Sequence, residues 1–311
     1  MRSEDDINIP AFLVKTILNN NPELFLLLLK WLQLNYTKTI IDEEKKLIIA
    51  NITALSFFGS DNSRYVREVW SDLNDDNFWT SQNLKRKFKD LTDFIMFPLQ
   101  PETLKEFLLT QIVGNKKSRN SLYPIAESDI INDYKKLINA TTAKDDAYAI
   151  NGIWNFVDRL YSCRLLVLFA QRVYINKNFG DFNQMESLED TNTPWDWDHI
   201  YPSEWVYNAK NIDPKIRDWN SCIGNQRALS FSENRSDSNR KSPKIKVEED
   251  DGQSFFNDDV EFWDQIGERI YDEGKVYLHS EAVIRRLVNI YKDWYLTLNL
   301  GDLFNYEDKT S

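Results

Sequence analysis

Apolar residues recur at helical spacing through the first half of the chain, and no alternating strand pattern interrupts them between residues 9 and 174. Segments such as Ile41–Phe58 open with acidic residues and close at a glycine, which is typical of helices. Two amphipathic helices are predicted near the C-terminus, at Asp259–Tyr271 and at Ser280–Leu298, the second capped by Ser280. The sequence therefore predicts a mainly α fold.

Composition indicates a folded protein with a sizeable core. The chain has 311 residues, of which 42% are hydrophobic and 14% aromatic, with only nine glycines and nine prolines. Such a chain is long enough for two or three lobes, and most of it is not expected to be disordered. Cys163 and Cys222 are the only cysteines, which excludes a disulfide framework or a zinc knuckle and fits a reducing, cytoplasmic setting.

Nothing in the sequence predicts insertion into a membrane. The acidic start does not resemble a signal peptide. The most apolar run, Leu24–Leu34, contains Lys30 and is too short to span a bilayer, so we expect a buried helix.

Charge is distributed unevenly. The net charge is −11, which argues against a general nucleic-acid coat protein. Residues 205–247 nevertheless carry nine bases against four acids, a net of +5, whereas residues 248–273 carry eleven acids against Arg269 alone, a net of −10. We call residues 205–247 the basic stretch. It could hold a phosphate backbone locally.

The chain changes character at Trp195–Pro243. Four of the ten tryptophans lie there, which we interpret as the core of a small domain rather than as a base-stacking surface. Ile200 and Pro202 suggest a short strand that ends in a turn, and Cys222–Leu229 suggests a second strand entered through Gly224. A short helix follows, running through Arg240 and capped by Ser232 or Asn234. The predicted order is strand, long connection, strand, helix.

This stretch contains side chains suited to phosphodiester hydrolysis. Magnesium prefers oxygen ligands and often takes only one or two from the protein, which Asp198 and Asn234 could supply. His199 could accept a proton from water at neutral pH. Adjacent strand residues point to opposite faces, so Asp198 and His199 are expected where the strand bends or ends. Asn225, on the neighbouring strand, could hold the imidazole in its productive tautomer.

The order DHIYP, IGN and ENR resembles the His-Asn-His endonuclease superfamily with its ββα-metal finger. It is most similar to the C-terminal nuclease domain of GmrSD-type modification-dependent restriction enzymes. The resemblance implies Asp198 and Asn234 as ligands of Mg²⁺, for which Mn²⁺ or another divalent ion can substitute. It implies His199 as general base and Asn225 as the residue that orients it. Further residues of the stretch are assigned to DNA phosphates (Arg235, Arg240 and Lys241) or to an accessory role (Asn239).

The resemblance covers about fifty residues and departs from the full family in one respect. Family members carry an N-terminal half similar to ParB-like nucleotide-binding domains, and no glycine-rich nucleotide loop occurs in this sequence. We therefore expect either a fragment or a separate NTPase subunit. A single active site cuts one strand, so double-strand cleavage implies a homodimer or sequential nicks.

These considerations predict three parts: a helical lobe at 1–185, a nuclease domain at 186–250, and C-terminal helices at 251–311. The expected function is a magnesium-dependent DNA endonuclease acting on phage DNA. Two alternatives stay open. One is a non-catalytic module that binds DNA or a partner around a structural finger, in which His199 is a core residue and the asparagines cap turns. The other is an RNA-cleaving toxin of the same fold.

Overall fold

The structure, a computed structural model, describes the residues 21–35, 42–58, 62–75, 99–110, 144–180, 193–237, 240–250 and 254–301. It is mainly α, with one small antiparallel sheet of two strands in these ranges. The predicted fold class is therefore confirmed.

The described residues form two compact units. The first draws on Met1–Pro98, Asp133–Phe156 and Tyr295–Ser311, and the second on Leu99–Asn132 and Val157–Trp294. Helices from both sides of the His199-containing hairpin belong to the same unit as the hairpin itself. The boundaries after residues 185 and 250 stay a prediction.

The helices before the finger are α1 (Pro22–Asn35), α2 (Asp42–Phe58), α3 (Asn62–Val69), α4 (Pro101–Leu108), α5 (Lys144–Ser162), α6 (Arg164–Ala170) and α7 (Arg172–Phe179). In the first unit, α1 packs on α2 and α3. Its buried face follows the helical repeat through Leu24, Leu27, Leu28 and Trp31. One face of the apolar run Leu24–Leu34 is thus buried as expected, whereas Phe25, Leu26 and Leu29 on the other face are exposed. None of the helices within the described ranges has the length and apolarity needed to cross a bilayer.

The finger lies in the second unit. Its elements are β1 (Trp195–His199), α8 (Ser203–Tyr207), α9 (Pro214–Asn220), β2 (Gln226–Ser230) and α10 (Phe231–Asp237). The predicted order of strand, connection, strand and helix is present. β1 ends at His199, and residues 200–202 form the connection to α8.

The short helix α10 begins differently from the prediction. Ser230 is its N-cap, because the Ser230 hydroxyl accepts from the Glu233 backbone N–H at 3.2 Å and the Glu233 carboxylate accepts from the Ser230 N–H at 3.0 Å. This reciprocal arrangement is a capping box, and it replaces the predicted caps Ser232 and Asn234. The helix runs to Asp237, and residues 238–239, which the predicted end at Arg240 requires, lie outside the described residues.

The chain continues with α11 (Pro243–Glu248), α12 (Asn257–Asp264) and α13 (Val276–Thr297). The last helix starts four residues earlier than predicted, so Ser280 lies inside it and is not its cap. The predicted apolar face of α13 is buried, namely Val283, Leu287, Ile290, Tyr291 and Trp294.

His279, the second histidine of the chain, is a core residue of the second unit. Its ring is fully buried, with the Tyr201 ring centroid at 4.8 Å and that of Trp263 at 6.4 Å. Burial lowers the pKa of His279 to about 3, because the charged imidazolium would lose its hydration there.

We predict that His279→Phe makes the protein more resistant to acid. In the unfolded chain His279 takes up a proton at a pKa of about 6.5, whereas in the folded protein it does so only near pH 3. As the pH falls from 6.5 towards 3, the free energy of unfolding of the wild type therefore falls by about 1.4 kcal/mol per pH unit. Urea unfolding of both proteins between pH 7 and pH 5 measures this slope. Buried Asp259, whose pKa is raised to about 6 by burial, contributes equally to both proteins and cancels in the difference. Parallel pH profiles would contradict the assignment.

Candidate functional site

The hairpin places the predicted site residues on two faces. β1 and β2 are antiparallel, with Asp198 opposite Arg227 and His199 opposite Gln226. Because side chains alternate along a strand, Asp196 and Asp198 share one face, and His199 lies on the other with Trp197. His199 is the last residue of β1, which is where the sequence predicted that the strand would end or bend.

Asp198 is the centre of a buried cluster of charges. Its side chain is only 7% exposed, and the Lys246 ammonium lies 2.8 Å from Oδ1 and 2.9 Å from Oδ2. The Arg227 Nε donates to Oδ2 at 2.8 Å, and Arg227 also lies 3.6 Å from the Asp250 carboxylate. Asp198 thus ties β1 to β2 and to α11. We call these four side chains the Asp198 cluster.

In this arrangement Asp198 does not fit a divalent cation. A hard ion needs a carboxylate oxygen open to it and to its water ligands. The Lys246 ammonium, bridging both oxygens, already stands where a cation would bind, and hardly any of the carboxylate reaches solvent. Among the described residues there is also no group of three or more His, Cys, Asp or Glu side chains placed to hold a metal.

His199 is half-buried at the end of β1, and its pKa is lowered. The main cause is desolvation, to which Lys246 and Arg164 add repulsion, while Asp198 acts in the opposite direction. Arg164 comes from the start of α6. It stacks over the Trp197 ring at 4.9 Å and donates to the Gln226 side chain at 2.9 Å. The environment favours a neutral imidazole.

Asn225 fixes the turn that follows His199. Its Oδ1 accepts from the Tyr201 backbone N–H at 2.7 Å, and its amide group donates to the carbonyls of Tyr201 at 3.2 Å and Asn220 at 2.9 Å. Its own carbonyl accepts from the Ile200 N–H at 2.9 Å. We predicted that this amide holds the imidazole of His199. In the structure it holds the backbone instead, and so acts on His199 through the main chain.

Arg286, on α13, anchors the turn that carries Asn225. Its fully buried guanidinium donates to the carbonyls of Ile223, Gly224 and Gln226 at 3.0, 3.2 and 2.7 Å. Charged hydrogen bonds to several carbonyls of one turn fix its position strongly. The sequence analysis did not identify this residue. Its only signal in the sequence is the arginine pair Arg285-Arg286, which interrupts the apolar residues Val283-Ile284 and Leu287-Val288.

Asn234 lies beside Asp196 rather than Asp198. Its amide donates to the Asp196 carboxylate at 3.2 Å, and both side chains are half-buried. Asp196 is three residues from His199, about 10 Å along a strand and on the opposite face. A cation held by Asp196 and Asn234 would therefore lie too far from His199 to share a phosphate with it.

Only part of the basic stretch remains available to a phosphate backbone. Arg227 and Lys246 are buried in the Asp198 cluster, and Lys241 pairs with Glu249 at 2.5 Å. Arg235 and Arg240 are exposed, and their role at DNA phosphates stays a prediction. Asn239, the predicted accessory residue, lies outside the described residues.

Comparison with protein-family models finds no match to this chain. Comparisons with curated proteins and with solved structures likewise find no match. The functional interpretation therefore depends on the geometry of the site itself.

We predict that Gly224→Ala destabilises the second unit. A Cβ at this position would lie 2.1 Å from the Val283 backbone oxygen of α13, so the turn or the helix must shift, at a cost of roughly 1–3 kcal/mol. Urea unfolding measures the loss. Gly267→Ala is the matched control, because its Cβ would meet only Lys244 Cδ at 3.9 Å. Equal stabilities of the two variants would show that the close approach at Gly224 is absent.

We predict that Lys246→Met costs about 3 kcal/mol, the lower end of the range for breaking a buried ion pair, because Asp198 keeps Arg227 as a partner. The exposed Lys244 on the same helix is the control, and Lys244→Met should change stability by no more than about 0.5 kcal/mol. Chemical unfolding measures both. Asp198→Asn should lower the free energy of unfolding less in the Lys246→Met variant than in the wild type. Equal losses in the two proteins would argue against the cluster.

Proposed function

We propose that this protein is a metal-dependent DNA endonuclease of the His-Asn-His type. The observation that carries the proposal is the position of His199: it ends the first strand of a β-β-α finger, and Asn225 fixes the turn that follows. The finger resembles the ββα-metal finger both in the order of its elements and in the spacing of its Asp-His, Asn and Asn-Arg residues.

His199 supplies the general base of the proposed reaction. A half-buried neutral imidazole can accept a proton from the water that attacks the phosphorus. As the water oxygen bonds to phosphorus, the bond from phosphorus to the sugar oxygen of the next nucleotide breaks, and the released oxygen takes a proton from solvent. A divalent cation could bind Asp198 only with Lys246 withdrawn, and it would then stabilise the negative charge that develops on the phosphate.

The proposed substrate is phage DNA, including DNA with modified bases. The exposed Arg235 and Arg240 support binding to the backbone, and such contacts position DNA without reading its sequence. Recognition of a modification would then come from a ParB-like NTPase half or subunit acting with this chain in the cytoplasm. Cleavage of both strands would require a homodimer or two successive nicks.

A second candidate is a binding module with a structural finger. The observation in its favour is that Asp198 and Asn225 both serve the fold, Asp198 in a buried ion-pair cluster and Asn225 in backbone hydrogen bonds. Such a protein would bind DNA or a partner without cutting. Cleavage of RNA in place of DNA is the third candidate, because phosphate contacts discriminate little between them.

We predict that His199→Ala lowers DNA cleavage by roughly 10²–10⁴-fold, the usual contribution of a general base. Supercoiled plasmid and base-modified phage DNA, each with Mg²⁺ or Mn²⁺, are the substrates, and single-turnover rates are the measurement. The half-buried position of His199 should let the variant fold, which its unfolding midpoint checks. Asn208→Ala, an exposed change on the connection after α8, is the control and should cleave as the wild type does.

The outcomes separate the candidates. Loss of cleavage in His199→Ala with unchanged DNA affinity supports the nuclease. Equal cleavage by His199→Ala and the wild type removes the site assignment. DNA binding without cleavage by the wild type favours the binding module, and cleavage confined to RNA favours the third candidate.

A further inference from the structure

Three oxygen atoms from the end of β1 surround the Lys246 ammonium. The Lys246 ammonium lies 2.8 and 2.9 Å from the two carboxylate oxygens of Asp198 and 2.6 Å from the His199 carbonyl oxygen. Carboxylate and carbonyl oxygens are the ligands that hard divalent cations prefer. We call these three oxygen atoms the cage. The cage would suit a metal ion, but it holds the Lys246 ammonium.

The charges of the Asp198 cluster are already matched. Two carboxylates, Asp198 and Asp250, face two cations, Arg227 and Lys246. A divalent ion added to this cluster would bring two further positive charges within a few ångströms of Lys246, in a region with little solvent to screen them. Metal and ammonium cannot both occupy the cage.

We propose that Lys246 and a divalent cation bind Asp198 in a mutually exclusive way, with Lys246 acting as an intramolecular competitor for the metal. The site at Asp198 can then load a metal only when the Lys246 side chain leaves the cage. The inference rests on the proposed function only for the choice of cation, because the competition concerns binding and not cleavage.

The position of Lys246 makes such a displacement feasible. It lies on α11, a helix of six residues that enters through a Ser242 cap and Pro243. Neighbouring groups on this helix are exposed, including Lys244 and Glu248, whose pair is long at 3.9 Å.

The test is direct titration of Mn²⁺, followed by the loss of the free-ion EPR signal. Lys246→Ala should bind Mn²⁺ at least about tenfold more tightly than the wild type, because a like charge is removed from the cage. Mn²⁺ should also raise the unfolding midpoint of Lys246→Ala more than that of the wild type, since a ligand of the folded state stabilises it.

Three variants locate the gained site. Lys246→Ala with Asp198→Asn should lose the gain in affinity, whereas Lys246→Ala with Asp196→Asn should keep it. Lys244→Ala, on the same helix, should bind Mn²⁺ as the wild type does. Lys246→Gln preserves most of the side-chain volume and should show the same gain, which keeps the test decisive if the alanine variant does not fold.

The proposal is overturned if folded Lys246→Ala or Lys246→Gln binds Mn²⁺ no more tightly than the wild type. It is equally overturned if the gain persists without the Asp198 carboxylate or disappears with that of Asp196. These results do not depend on cleavage. Failure of the nuclease proposal would appear instead as equal activity of His199→Ala and the wild type, whatever the metal titration shows.

Discussion

The salt bridges at Asp198 hold the finger to the rest of its unit. One carboxylate accepts hydrogen bonds from β2 through Arg227 and from α11 through Lys246, both of which are buried. A buried ion pair gains little over an apolar contact of the same size, but loss of one partner leaves an uncompensated charge and is costly. The cluster therefore specifies one arrangement of β1, β2 and α11, and the position of His199 depends on it.

The sequence was sufficient to predict the class of fold and the order of elements in the finger. The apolar run Leu24–Leu34, too short to span a bilayer, predicted a buried helix. Helical spacing identified the buried face of α13, because local periodicity reflects burial directly. The bounds were less accurate. The Ser230–Glu233 capping box sets the start of α10, and the sequence analysis favoured caps two and four residues later.

The candidate site was predicted less completely, for a physical reason. Lys246 is 48 residues from Asp198, and Arg286 is 62 from Gly224, so neither contact follows from local spacing. Lys246 is one of nine bases in the basic stretch, and such a lysine is usually solvated. Its burial depends on how α11 packs. Similarly, an asparagine before a strand is equally suited to a side-chain or a backbone partner, and packing brought Tyr201 to Asn225.

The residues of the motif fall into two groups, those that stabilise the finger and one whose side chain stays partly exposed. Asp198 and Asn225 serve the fold, whereas the His199 ring stays partly accessible at the end of its strand. We propose that the cage formed by Asp198 and the His199 carbonyl holds either the Lys246 ammonium or a divalent cation, but not both. A crystal structure of the wild-type protein soaked in Mn²⁺, with anomalous data, measures this directly. The account predicts Lys246 in the cage without manganese, or manganese with Lys246 withdrawn. An anomalous peak on Asp198 with the ammonium still bonded to both carboxylate oxygens would contradict it.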